Sequence, residues 1–393
     1  MINQKYKKML SSRSVIRELS EYATARAAEI GRENVFDFTL GNPSVPVPED
    51  YTDAVMDLHR TQEPVALHGY SPSLGIEYVR ESVAASLKKR FGIPYEAKHI
   101  FMTSGAAGAL AHAIRAVTEP GDEVLVFAPY FSEYIPYIND TGAVIHIVEA
   151  DTGHFQIRFD ALEAAMNERV NAVLINSPNN PSGVVYSEET LKKLSDFLRE
   201  KEQEYGHDIF LISDEPYREI VFDGLSVPYP SRFYSNTLSC YSFSKSLSLP
   251  GERIGYVAVN PEATDADILA IMFGQISRGI GHNCPASSVQ RAVERVLDET
   301  ADLSVYETNR NLLYDCLTAA GLSVEKPGGT FYMFPKVIGD DAVLFCKKAM
   351  EHDLIFVPSD GFGVKGHFRI AYCVDTDMIR RAIPVIEEFL KNY

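Results

Sequence analysis

Seven short runs rich in β-branched and aromatic residues recur between residues 99 and 259: HIFMTS, EVLVFA, AVIHIVE, NAVLIN, IFLISD, LSCYSF and IGYVAV. Most lack the strict alternation of a strand with one wet face, as expected where both faces of a sheet are covered. Helical patterns separate several of them. Gly105 to Thr118 is Ala-rich, and Leu191, Leu194 and Leu198 lay an apolar stripe on a charged segment that runs to about Tyr205. Strand alternating with helix predicts an α/β fold built on a seven-stranded, mostly parallel sheet with helices on both faces. LSCYSF and IGYVAV are joined without an evident helix, so one of the pair is expected to run antiparallel.

Beyond Pro285 the rhythm changes. One long helical pattern runs from Val289 through Val293 and Val296 to Leu317 and ends at Gly321. The alternating runs around TFYMFP and HFRIAY that follow predict a smaller α+β domain. The opening residues hold a helical stretch and the Pro-rich exit GNPSVPVPED, and are expected to dock on that later domain. The expected organisation is therefore residues 1–45 as an arm joining the small domain, 46–284 as the large domain, and 285–393 as the interdomain helix and small C-terminal domain.

Length and charge narrow the function classes. A chain of 393 residues has ample length for a large core, which excludes a peptide-sized or disulfide-held scaffold. The 37 basic and 54 acidic residues leave a net charge of −17, a field that repels phosphate backbones, so neither nucleic acid nor an anionic membrane is an expected partner. Five scattered cysteines without C-x-x-C spacing point to a reducing compartment. No apolar run is long enough to span a bilayer, and no apolar signal core follows the early lysines, so a cytoplasmic location is expected. The ten histidines form no H-x-x-x-H or H-E-x-x-H pair, and no metal is expected. GFGVKG fits G-x-G-x-x-G but runs into HFRIAY instead of opening a helix, so it lacks the context of a dinucleotide site.

Four segments carry candidate chemistry. In SFSKSLSLPGERIGY, Lys245 follows a strand, hydroxyls of Ser242 and Ser244 precede it, and Arg253 lies eight residues on. Burial and a nearby cation lower a lysine's pKa, and a neutral amine is what an imine-forming nucleophile must be. The two hydroxyls and the guanidinium could together hold a phosphate dianion. In FLISDEPYREI, Asp214 ends an apolar strand with Tyr217 three residues on, where open α/β sheets bind ligands; a helix cap is the competing reading. INSPNNPSG places Asn180 in a turn set by Pro181 and Gly183, which by itself is a weak signal. In FMTSGAAGALAHAI, the amides of Gly105, Ala106 and Ala107 at a helix start can bind phosphate oxygens, and close helix-on-sheet packing would explain the same small residues.

In order and spacing these segments resemble the class I/II aminotransferases, the aspartate aminotransferase-like branch of the fold-type I enzymes that use pyridoxal 5′-phosphate. The resemblance runs from about LGNPSVPVP to FRIAYC, and the S-x-S-K…G-x-R-x-G-Y string is its most specific part. It implies that Lys245 carries the cofactor as an aldimine and then serves as general base, with Asp214 as partner of the pyridinium nitrogen. It also implies that Tyr217 and Asn180 bond the ring oxygen, while Ser242, Ser244, Arg253 and residues 105–107 hold the phosphate. Phe131 in APYFSEY matches the aromatic stacked on the ring, where many members have Trp or Tyr; this chain has no Trp at all. Tyr70 in HGYSPSLG resembles the tyrosine that reaches the neighbouring subunit's phosphate, which implies a homodimer with shared sites. Arg369 matches the clamp on the substrate α-carboxylate, and Gly41 the backbone contact beside it.

The expected reaction moves the amino group of an L-amino acid to a 2-oxo acid in two half-reactions. Aspartate and 2-oxoglutarate are the expected pair, because Arg278 in QISRGIGHNCP lies near the position that reads a distal carboxylate. Against this, Ala107 stands where some bacterial aspartate aminotransferases have lysine. Aromatic or small neutral donors, and carbon–sulfur β-elimination on the same lysine, are the alternatives. A regulatory, non-enzymatic role is disfavoured by the charge and by the roughly 40 residues before the matching region, too few for a winged helix.

Overall fold

The computed structural model describes residues 2–10 and 14–393. Their strands are β1 (Phe36–Asp37), β2 (Ile100–Thr103), β3 (Glu123–Phe127), β4 (Val144–Val148), β5 (Val170–Asn176), β6 (Phe210–Asp214), β7 (Thr237–Ser242), β8 (Gly255–Val259), β9 (Tyr332–Met333), β10 (Leu354–Ile355), β11 (Val357–Pro358) and β12 (Phe368–Ala371). The seven predicted runs become β2 to β8, and these form one sheet in the order β2-β8-β7-β6-β5-β3-β4. All neighbours are parallel except β8, which runs antiparallel to both β2 and β7. Only the four-residue helical turn Phe243–Ser246 lies between β7 and β8, so the absence of a crossover helix has the meaning expected of it.

Both sheet faces are covered, which explains the absence of alternation. Val124, Val126, Ala172, Leu174 and Ile212 point into one apolar cluster, while Leu125, Val173, Ile175 and Leu211 point into another. The first cluster contains the Ala-rich helix Gly105–Val117, whose small side chains let it approach β7 and β8. The second contains Leu191, Leu194 and Leu198 of the helix Glu188–Tyr205, started by the Ser187 hydroxyl accepting from Thr190 N–H and ended by Gly206 at φ +74°. Only β4, at the sheet edge, exposes apolar side chains, Val144 and Ile147.

The long helix expected beyond Pro285 is instead two helices, Ser287–Glu294 and Ser304–Ala319. Between them Ala301 N–H donates to the Ser246 carbonyl at 2.7 Å, and the Asp302 carboxylate accepts from Ser304 N–H at 3.1 Å and restarts the helix. Val296 and Ala301 stay buried through the break, so the apolar period continues where the hydrogen bonds do not.

β9, β11 and β12 form an antiparallel three-stranded sheet backed by the helix Thr376–Asn392. The start of the chain joins this part: β1 pairs in parallel with β10, Arg26 Nε donates to Asp353 at 2.7 Å, and Ala371 N–H donates to the Phe38 carbonyl at 2.9 Å. No helix among the described residues is long and apolar enough to cross a membrane.

Candidate active site

The carboxyl ends of β5, β6 and β7 open into a cavity of about 370 Å³, the crevice position expected of an open α/β sheet. Its wall joins residues from across the chain: Gly41, Ala106, Ala107, Phe131, Asn180, Asp214, Tyr217, Ser242, Ser244, Lys245, Arg253 and Arg369. Gly105 stands just behind, against Arg253.

Lys245 sits in the single helical turn Phe243–Ser246 that follows β7, a turn started by the Ser242 hydroxyl accepting from Ser244 N–H at 3.1 Å. Its Nζ donates to the Gly41 carbonyl at 2.7 Å. Burial lowers the ammonium pKa to about 8, and Arg253 and Arg369 push the same way against the opposing Cys373 thiol. A useful fraction of the amine is therefore neutral near physiological pH.

Asp214 ends β6. Tyr134 Oη donates to its Oδ2 at 2.5 Å, and Asn176 Nδ2 donates to its main-chain carbonyl at 2.9 Å. The other carboxylate oxygen, Oδ1, is buried with no protein partner. Burial pushes the pKa up to about 7, with the Glu215 charge adding to it and the Tyr134 hydrogen bond opposing it. A buried half-satisfied carboxylate is costly, and a cationic N–H donor would relieve it.

At the opposite end lies an anion cradle. Gly105 opens the helix Gly105–Val117 at φ +74°, and a Cβ there would stand 3.0 Å from Arg253 Nη2, so the guanidinium packs against bare backbone. Arg253 is itself held at φ +53°, its Nη1 donating to the Pro250 carbonyl at 2.8 Å. Ser242 Oγ and Ser244 Oγ are 2.7 Å apart beside it. Helix-start amides, two hydroxyls and a guanidinium suit a phosphate group.

Arg369 comes from β12 and is buried. Its Nη1 donates to Asn180 Oδ1 at 3.1 Å and its Nη2 to the Thr39 carbonyl at 2.6 Å, while Nε is buried without a partner. The guanidinium lies over the Tyr332 ring at 4.6 Å. Burial lowers its pKa, with the neighbouring tyrosines opposing. Gly41 leaves room for Tyr332: a Cβ there would fall 1.7 Å from the Tyr332 hydroxyl oxygen. Tyr217 Oη donates to that hydroxyl at 3.4 Å, and burial keeps Tyr217 protonated by raising its pKa well above normal.

Tyr70 and Arg278 are not brought to this cavity. Both line a separate surface hollow of about 980 Å³, with Ser71, Asn283 and Ser287, and Tyr70 is fully exposed there. Sequence reasoning missed Tyr134, Asn176, Thr39 and Tyr332. Asn176, the last residue of β5, and Tyr134, three residues beyond Phe131, had a signal in their place inside the quoted strings INSPNNPSG and APYFSEY; Thr39 acts through its carbonyl and Tyr332 through its ring and hydroxyl, and neither stood beside candidate chemistry in the sequence.

The model of the family described as aminotransferase class I and II matches residues 33–386. The chain is 30% identical to the aspartate aminotransferase of Thermotoga maritima over 378 residues, covering 94% of this chain and 95% of that protein. It is 29% identical to aromatic-amino-acid aminotransferase 2 of Thermococcus litoralis over 384 residues, covering 92% of this chain and 93% of that protein. A crystal structure of an amino transferase from Eubacterium rectale superposes with a TM-score of 0.97 at 48% identity, over 100% of this chain and 99% of that one.

Proposed function

The chain belongs to the aminotransferases of class I and II, and we propose that it works with pyridoxal 5′-phosphate bound in the Lys245 cavity. The observation that carries this reading is the orphaned Oδ1 of Asp214, which suits a protonated pyridine nitrogen. The cradle of Arg253, Ser242, Ser244 and the amides of residues 105–107 suits the phosphate at the other end. Phe131 offers an aromatic face without a polar handle, and Asn180 and Tyr217 can donate to the ring oxygen. When bound, the cofactor supplies an electron sink for the pair left on the substrate's Cα after its proton departs.

The chain's own residues do the rest. Lys245 would hold the cofactor through Nζ and, once the substrate amine takes its place, the freed neutral Nζ would be the base that accepts and gives up the Cα proton. Its depressed pKa suits both tasks. Arg369 exchanges its Asn180 and Thr39 contacts for the two oxygens of the substrate α-carboxylate. Lys245→Ala is expected to remove both transamination and the visible absorbance of the lysine-bound cofactor; full turnover in that variant without added amine would overturn the assignment.

For the donor we favour aspartate, with 2-oxoglutarate as acceptor. Tyr70 and Arg278 share one surface hollow outside the chain's own cavity, which supports a homodimer in which each subunit lends both residues to its partner's site. The relative from Thermotoga maritima is named for aspartate. The second reading, aromatic or small neutral donors, draws on Ile16, Leu40, Leu110, Phe131 and Tyr137, which give this chain's share of the wall an apolar character. A donor panel with Arg278→Leu separates them: loss of aspartate kcat/KM alone supports the first, and no change supports the second. We place the protein in the cytoplasm, where its five free cysteines stay reduced.

A further inference from the structure

Beneath the turn that carries Lys245 lies a buried charge cluster that the proposed chemistry does not use. Arg218 Nη1 donates to Glu215 Oε2 at 2.9 Å, and its Nε donates to Glu219 Oε1 at 3.3 Å. Arg90 Nη2, from the solvent side, reaches the same Glu219 oxygen at 3.0 Å, so two carboxylates meet two guanidiniums. Arg218 also donates to Tyr256 Oη at 2.9 Å and lies 4.3 Å over the Tyr241 ring.

Tyr241 Oη donates to the other Glu219 oxygen, Oε2, at 2.8 Å. Its one proton is thereby committed, so in the 2.9 Å contact with Ser246 Oγ it is Ser246 that donates. Ser246 is the last residue of the turn and the one after Lys245. Its carbonyl is held from the other side by Ala301 N–H at 2.7 Å, the bond that coincides with the helix break. A four-residue helical turn has almost no stability of its own, and a hydrogen-bond chain ending on a carboxylate is a strong anchor.

We propose that Tyr241 and Ser246 are positioning residues, whose buried relay to Glu219 fixes the turn Phe243–Ser246 and so the direction in which Lys245 enters its cavity. The consequence for catalysis rests on the proposed role of Lys245, whereas the positioning exists in the free protein. Arg253, Arg369, the Cys373 thiol and the Gly41 carbonyl face Nζ, and none of them is altered by removing the relay. Lys245 is part-buried, and slackening of the turn would admit more water to Nζ and restore proton affinity.

The test reads the cofactor-free full-length protein. Peptide-resolved acetylation of Lys245 across pH gives its titration midpoint in Tyr241→Phe, Ser246→Ala and the double variant. Each single variant is expected to raise the midpoint by about one unit, a roughly tenfold loss of labelling below it, and the double variant by no more than either single. Tyr95→Phe is the control. It removes a buried hydroxyl contact to Tyr229 (2.9 Å), whose ring meets the cluster through Arg218 at 5.7 Å but with no hydrogen bond onward to Ser246, so it should lower Tm and leave the midpoint unmoved. An unmoved midpoint in Ser246→Ala, additive shifts in the double variant, or an equal shift in Tyr95→Phe would overturn the proposal. Failure of the cofactor reading looks different: added pyridoxal phosphate would then not protect Lys245 from labelling, while the shifts between variants would stand.

Discussion

Replacing Asp214 by asparagine exchanges a buried, half-satisfied carboxylate for a neutral group of the same shape. The amide oxygen can accept from Tyr134, and its NH2 takes the place of the orphaned oxygen on the cavity side. In the cofactor-free wild type the folded pKa of about 7 lies above the ordinary aspartate value of 3.8. The native state therefore binds the proton more tightly than the unfolded chain. That contribution to stability is fully present below about pH 4 and is lost as pH rises through about 7. The shift of about 3 units corresponds to about 4 kcal/mol in all, of which roughly 3 kcal/mol falls between about pH 5 and pH 8.5. The variant has no such term. Urea unfolding of both cofactor-free proteins at the two pH values is expected to show the wild type losing roughly 3 kcal/mol relative to Asp214→Asn on going to the higher pH. Saturating pyridoxal phosphate should reverse the ranking, because only the carboxylate can accept from a ring N–H, and transamination in the variant should fall by several orders of magnitude. A stability difference independent of pH would refute the reasoning, since the cost would then not be that of a buried charge.

Arg369→Lys keeps the charge but not the fork, and is expected to lower kcat/KM for the amino donor by about 100-fold, mostly through KM, because a single ammonium cannot answer both carboxylate oxygens in the fork geometry. Steady-state kinetics with several donors checks this, since all should suffer alike if the arginine binds the shared α-carboxylate. Gly41→Ala forces a Cβ into the Tyr332 hydroxyl and is expected to cost about 1–3 kcal/mol in thermal or urea unfolding, with activity lost because the Gly41 carbonyl also orients Lys245.

Most of the sheet and the centre of the site were legible because each rests on local evidence. A strand buried on both faces reads as an unbroken apolar run, and a site at strand ends gathers its residues next to those runs, as Asp214, Ser242 and Lys245 do. The break between Glu294 and Ser304 was not legible, because it coincides with a hydrogen bond to a residue some 55 positions earlier, Ser246, while the apolar period runs on through Val296 and Ala301. Tyr332 and Thr39 escaped for a related reason. Each contributes through its packing or its carbonyl to a residue far off in the chain, and neither leaves a chemical signature at its own position.

One physical cause sets the chemistry of both ends of the lysine–aspartate pair. Desolvation disfavours whichever form is charged, so it lowers Lys245 to about 8 and raises Asp214 to about 7. Two groups that would be firmly charged in water thus come within reach of neutrality at working pH. The net charge of −17 says nothing of this, because most charges lie at the surface and are screened by solvent, while buried groups are screened much less. Arg253 and Arg369 are the fixed charges of the cavity, and they flank the two adjustable ones. A ligand that brings a phosphate, a carboxylate and a ring nitrogen able to accept a proton would meet each of these groups with its complement, whereas a neutral ligand would leave two guanidiniums unanswered. Selectivity for such a ligand therefore follows from burial as much as from the identity of the residues.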